Sequence, residues 1–161
     1  MRLLVTAPDW VAALLLLLLV LAALQDGWRL RISDWISGLV AILAFVALVL
    51  DGPVSGLWQN FLLFAGVLAV GTFMFGRGWM GGGDIKLLAA CALWFDLSQG
   101  WKMLVVVAIV GGLETLIVML LRALPWPIRL RNRLAVLRRN NAIPYGVAIG
   151  LGVALIGFSV R

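Results

Sequence analysis

The sequence predicts an all-α membrane protein, a six-transmembrane helix bundle with a cytoplasmic amphipathic segment. Three observations carry that expectation. The chain has 161 residues, of which 64% are hydrophobic and 12% charged, whereas soluble domains carry about 25% charged residues. Its apolar residues fall into six runs parted by turn-forming or charged stretches. Its Lys and Arg residues collect in alternate connections between those runs. A chain with a mean hydropathy of +1.11 could not cover its surface against water, so a bilayer is its solvent. Residues 1–161 read as one domain, with no room for a separate soluble module.

The first run, Trp10–Gln25, follows Arg2 and has the look of a secretory signal. No A-x-A-like site follows it and five more runs do, so it reads as a span. The second, Trp35–Leu50, ends on the turn residues Asp51, Gly52 and Pro53. The third is Leu57–Phe75. The fourth, Ile85–Phe95, is the shortest, and the uncharged glycine-rich stretch before it can extend it. Ser98, Gln99 and Gly100 separate it from the fifth, Met103–Leu121, which Pro125 and Pro127 stop. Tyr145–Val160 is the last. A span needs about 20 residues, so the flanking Trp and Arg side chains must help at the interfaces. All eight Trp residues stand near the predicted boundaries, as an interfacial aromatic belt requires.

With six spans, alternate connections share a side. Ten of the thirteen Lys and Arg residues (Arg29, Arg31, Arg77, Lys86, Arg122, Arg129, Arg131, Arg133, Arg138 and Arg139) fall on one side, and Arg2, Lys102 and Arg161 on the other. The positive-inside rule makes the first side cytoplasmic and puts both termini outside. Asp26 and Asp84 then share the cytoplasmic depth. Within the basic segment Ile128–Asn140, Leu130, Leu134 and Leu137 recur at helical spacing. That fits an amphipathic helix on the inner leaflet, held by lipid and its anionic headgroups, with contact to a substrate as the alternative.

Several function classes drop out. The net charge of +6 sits between apolar runs, where it reads as topology rather than as a nucleic-acid surface. The absence of His removes histidine-based zinc, haem and Ser-His-Asp chemistry. Cys91 is the single cysteine, which rules out an internal disulfide or a CxxC metal site and reads as a small packing residue. No cofactor and no metal are expected.

An ionisable group within a span is costly and is a functional candidate by default. Asp9, Asp51 and Asp96 lie at expected external edges, which leaves Asp26, Asp34, Asp84 and Glu114. Asp84 follows Gly81, Gly82 and Gly83, residues that let a helix or a peptide approach closely; an ordinary helix N-cap is the alternative. Asp26 ends the first span, where Arg29 and Arg31 could simply balance it. Read together, two carboxylates at one depth on different helices can share a proton and activate water, the chemistry of aspartic peptidases. Glu114 reads as a polar tie between helices, with Lys86 a candidate partner. A small proton-coupled transporter, with its acids at mid-membrane, and a non-enzymatic membrane assembly subunit are the alternatives to an enzyme.

Three segments then add a resemblance. The stretch from Asp26 to Ser37 (DGWRLRISDWIS), that from Gly81 to Leu88 (GGGDIKLL) and that from Ile143 to Ala148 (IPYGVA) resemble, in order, the signatures of the type IV prepilin peptidase family of GxGD intramembrane aspartic peptidases. The resemblance spans nearly the whole chain. It implies that Asp26 and Asp84 are catalytic, and that Gly81, Gly83, Lys86, Pro144, Tyr145 and Gly146 position the substrate. It implies a prepilin-like membrane substrate, cut at the cytoplasmic face of a bacterial inner membrane after a small residue that ends a basic leader. Nucleic acid is not an expected partner. Ser33 stands where the family usually has Pro, and Asp34 where it has Asn, so the turn after Asp26 is less rigid by residue type. The cysteine-bearing insertion of the larger members is absent, which implies no methyltransferase activity. The size resembles the short peptidases that serve Flp-type, tight-adherence pili.

Overall fold

The computed structural model describes residues 3–52, 56–127, 136 and 143–159. Among these residues the regular elements are seven α-helices: α1 (Leu3–Thr6), α2 (Asp9–Arg29), α3 (Asp34–Asp51), α4 (Leu57–Gly76), α5 (Gly82–Ala92), α6 (Leu97–Ala123) and α7 (Gly146–Ser159). The fold is all-α, as the apolar runs predict. The amphipathic segment expected over 128–140 lies, apart from Val136, outside the described residues.

Four helices, α2, α3, α4 and α6, are long and apolar enough to cross a membrane. At 11 and 14 residues, α5 and α7 are shorter. Only 17–33% of the most apolar window of each long helix is buried. The outward faces, with Leu17, Val20, Ile42, Val70 and Ile109 more than half exposed, therefore need hydrocarbon around them. The protein is a multi-pass membrane protein.

The short α5 is the hub. It packs against α3, α4 and α7, while α2 packs on α3 and α7, and α6 on α7 and α4. Its residues Ala89, Ala90, Cys91 and Ala92 are all buried, and their small size lets three neighbours close on one helix. Cys91 is thus a packing residue in the core.

A helix that ends inside an apolar bundle leaves its terminal carbonyls without water. One side chain supplies a missing donor at the end of α5. Asn60 of α4, itself 1% exposed, donates from Nδ2 to the Leu93 carbonyl at 2.8 Å. The Trp94 indole donates to the Val40 carbonyl of α3 at 3.3 Å. Trp94 is fully buried, which corrects the expectation that every Trp lies in an interfacial belt; six of the others are more than half exposed. A second correction concerns the start of α6. Ser98, Gln99 and Gly100, read from the sequence as a break, form its first turn. The Asp96 side chain caps the helix by accepting the Gln99 N–H at 2.9 Å. Gly100 leaves that turn free of a side chain where it passes Leu63 of α4.

Replacing Asn60 by the similarly sized Leu strands the Leu93 carbonyl. The cost of such a loss is about 1–3 kcal/mol, and it should appear as a lower midpoint of thermal unfolding in detergent. An unchanged midpoint would show that the α5 terminus has another donor.

Candidate active site

Asp26 sits in the last turn of α2 and is 3% exposed. Its Oδ2 accepts the backbone N–H of Gly146, the first residue of α7, at 2.7 Å. The Tyr145 N–H also faces the carboxylate. The local sequence explains why these donors are free. The buried Pro144 holds the chain extended before the helix. Tyr145, in the capping position, carries no short oxygen to bond the first-turn amides. The missing acceptor comes from α2. Gly146 makes the approach possible, since a Cβ there would stand 2.9 Å from the Asp26 Cβ. The Tyr145 ring lies over Gly111 of α6, 3.1 Å from where a Cβ would be.

Asp84 is the third residue of α5 and is 8% exposed. Its carboxylate reaches back toward the N–H of Gly81, the N-cap residue. This is one half of a capping box; the N-cap itself is Gly81, so the reading of Asp84 as an N-cap residue is corrected to the third helical position. Gly83 sets its position. A Cβ at Gly83 would lie 2.7 Å from the Ile32 carbonyl oxygen, so the first turn of α5 rests directly on the backbone of the turn after α2. At Gly81 a Cβ would stand 2.7 Å from the Asp84 Oδ2. These two glycines admit the protein's own backbone and carboxylate, whatever else they admit.

The carboxylates of Asp26 and Asp84, far apart in sequence, are close enough to repel each other. A third acid joins them. Glu114 of α6 acts electrostatically on Asp84 and is acted on by Asp26. One side of its carboxylate faces the N–H of Ala148 in α7, while its Oε2 is buried without a hydrogen-bond partner. Among the described residues, no three His, Cys, Asp or Glu side chains converge closely enough to hold a metal ion. The periodicity of the fifth run could not reveal that Glu114 faces the start of α7, because that depends on how deep the last helix begins.

Lys86 is not the partner of Glu114. Its Nζ pairs with Asp34 Oδ2 at 2.7 Å, and both side chains are exposed. The turn between α2 and α3 is held by a different pair. Gln25 donates from Nε2 to Ser33 Oγ at 2.7 Å and accepts the Ser33 N–H at 2.9 Å. A proline could make neither bond, so the departure at Ser33 brings its own brace. Leu30 closes α2 in the left-handed conformation, φ 52°, and donates its N–H to the Asp26 carbonyl at 2.7 Å. Between this turn and residues 81–86 opens a cleft of about 410 Å³, with Arg31, Asp34, Asp84 and Lys86 in its walls.

Gln25→Ala removes both bonds of the brace and should lower stability by about 1–2 kcal/mol. Ser33 has φ −73° and makes no side-chain cap bond to α3, a backbone that proline fits. Adding Ser33→Pro to Gln25→Ala should therefore recover about 0.4–1 kcal/mol. Thermal unfolding of the wild type and both variants checks this, and further loss in the double variant would refute it.

Residues 13–123, more than half of the chain, match the type IV leader peptidase family. No curated protein and no solved structure matches. The matched region holds Asp26, Asp84 and Glu114 and ends before α7, whose first residue is Gly146. The match extends through α3, α4 and α5 to the end of α6, and on it the chain belongs to the type IV leader peptidase family and is a peptidase.

Proposed function

We propose that the protein removes the leader of Flp-type prepilins by an aspartic mechanism, with Asp26 and Asp84 as the catalytic pair. One observation carries the reading. Two buried carboxylates from separate helices lie within electrostatic reach of each other, each beside backbone N–H groups, and Asp84 lines a cleft that could take an extended peptide. Two acids so close share a proton more cheaply than they both ionise. The ionised member takes a proton from water, and the water oxygen bonds to the scissile carbonyl carbon. The protonated member donates to the carbonyl oxygen. Collapse breaks the C–N bond as the amine leaves with a proton. No cofactor enters the scheme.

The backbones of Gly81 and Gly83, the Lys86 ammonium, and Pro144, Tyr145 and Gly146 would position the peptide around the pair. The substrate's apolar segment has a seat beside it. A wholly apolar cavity of about 480 Å³ between α4, α5 and α6 includes Met80 and Ile85, the latter adjacent in sequence to Asp84. In this reading α5 and α7 complete six spans in a bacterial inner membrane. The end that carries the acids faces the cytoplasm, and both termini lie outside.

Asp26→Asn and Asp84→Asn should each abolish cleavage of a purified Flp-type prepilin, with single losses nearly as severe as the double. Mass spectrometry of the released leader reads the outcome, and substantial product from either folded variant would sink the assignment. Asp34→Asn should keep most activity, since an exposed ion pair is worth about 0.2–1 kcal/mol.

Reporter fusions after Arg29, Pro127 and Arg161 test the orientation. The first two should report the cytoplasm and the last the outside, and a cytoplasmic signal at Arg161 would overturn the six-span reading.

A further inference from the structure

Glu114 is an acid within a long apolar helix, where a charge needs a reason. A residue that merely tied α6 to α7 would have both oxygens partnered. One side of the carboxylate faces the Ala148 N–H, but Oε2 is buried and bonds nothing. Its neighbour Thr115 does not serve it, because Thr115 Oγ1 donates to the Gly111 carbonyl at 2.7 Å. Two acids thus meet the first turn of α7. Asp26 takes the Gly146 amide from α2, and Glu114 faces the Ala148 amide from α6. Asp84 of α5 lies within electrostatic reach of both. Among the described residues, the titratable groups around Glu114 are few. Asp26 comes from α2, Asp84 from α5, and the Tyr145 ring stands against Gly111, one turn earlier on α6. Helices α4 and α7 contain no charged residue, and Lys102 and Arg122 lie near the two ends of α6.

We propose that Glu114 is a positioning residue of the active site: it steadies the first turn of α7, which also holds Asp26, and its charge bears on the aspartate pair. This inference rests on the reading of Asp26 and Asp84 as catalytic. The helix start is common to two carboxylates, so a change at one is felt by the other through a rigid first turn. An ionised Glu114 makes it harder for the pair to carry its own charge.

Two substitutions separate the contributions. Glu114→Gln keeps an oxygen that can accept the Ala148 amide but removes the charge. Glu114→Leu removes both. With a purified Flp-type prepilin as substrate, Glu114→Gln should unfold at the wild-type temperature. Its acid-side limb of the pH–kcat/KM profile should move to lower pH by about half a unit or more. Glu114→Leu should also lose kcat by about tenfold or more with little change in KM. A Glu114→Gln profile superimposed on wild type would overturn the proposal, and a Glu114→Leu enzyme that is merely less stable would then leave a structural tie. Asp26→Asn, assayed in parallel, separates the two levels. Cleavage that survives in it refutes the catalytic pair and this inference with it. Abolished cleavage beside an unmoved Glu114→Gln profile refutes the inference alone.

Discussion

The hydrogen bond from the Gly146 amide to Asp26 spans 120 positions of sequence, and the rest of the site depends on it. A helix that begins inside an apolar bundle has four amides with no partner in its own backbone and no water to meet them. Tyr145 cannot cap α7, so the start of that helix is stable only where another element brings an acceptor. The bond therefore fixes how deep α7 begins, and with it the depth of Tyr145, of Ala148 and of the face of α6 that packs on them. Beyond Glu114, α6 continues to Ala123, a further rise of about 13 Å. Glu114 lies well inside the end of that helix. A carboxylate needed there as a cap is also held dry, rigid and beside other acids, which are the conditions acid–base chemistry needs.

Asp84 reaches the same place by a different route. Among the described residues no long-range hydrogen bond draws it in; the absence of side chains does. Gly83 rests on the Ile32 carbonyl and Gly81 leaves room for the Asp84 carboxylate. The turn after α2 is thus both the roof of Asp26 and the floor of α5. The brace from Gln25 to Ser33 and the exposed pair of Asp34 with Lys86 fix that turn from opposite sides. One rigid element sets two carboxylates, so a distortion in it displaces both.

Much of this was legible in the residues. Apolar runs locate α2, α3, α4 and α7 within a few positions, because a lipid-facing helix writes its length directly into hydropathy. Asp26 and Asp84 stand out because charge is rare in such runs. Where the reading fails, tertiary contacts are responsible. Trp94 is amphipathic and suits an interface, yet the Val40 carbonyl gives its indole a partner in the core. Asp96 caps α6 early, and a turn-like triplet becomes helical. Ser33 looked like a loss of rigidity beside proline, because its partner Gln25 lies eight positions away on the preceding helix. Glu114 could be flagged as costly, but its place against the Ala148 amide depends on how deep α7 begins.

The brevity of α5 bears on how the protein enters its membrane. Eleven helical residues rise about 16 Å, roughly half of a hydrocarbon core about 30 Å thick. Such a segment gains too little from lipid to partition by itself, and its Leu93 carbonyl would meet hydrocarbon bare. Pairing with α4, whose Asn60 donates to that carbonyl, supplies what lipid alone does not. The last helix, whose Gly146 amide holds Asp26, follows α5 in the chain, so a half-made chain in the insertion machinery holds no assembled acid site.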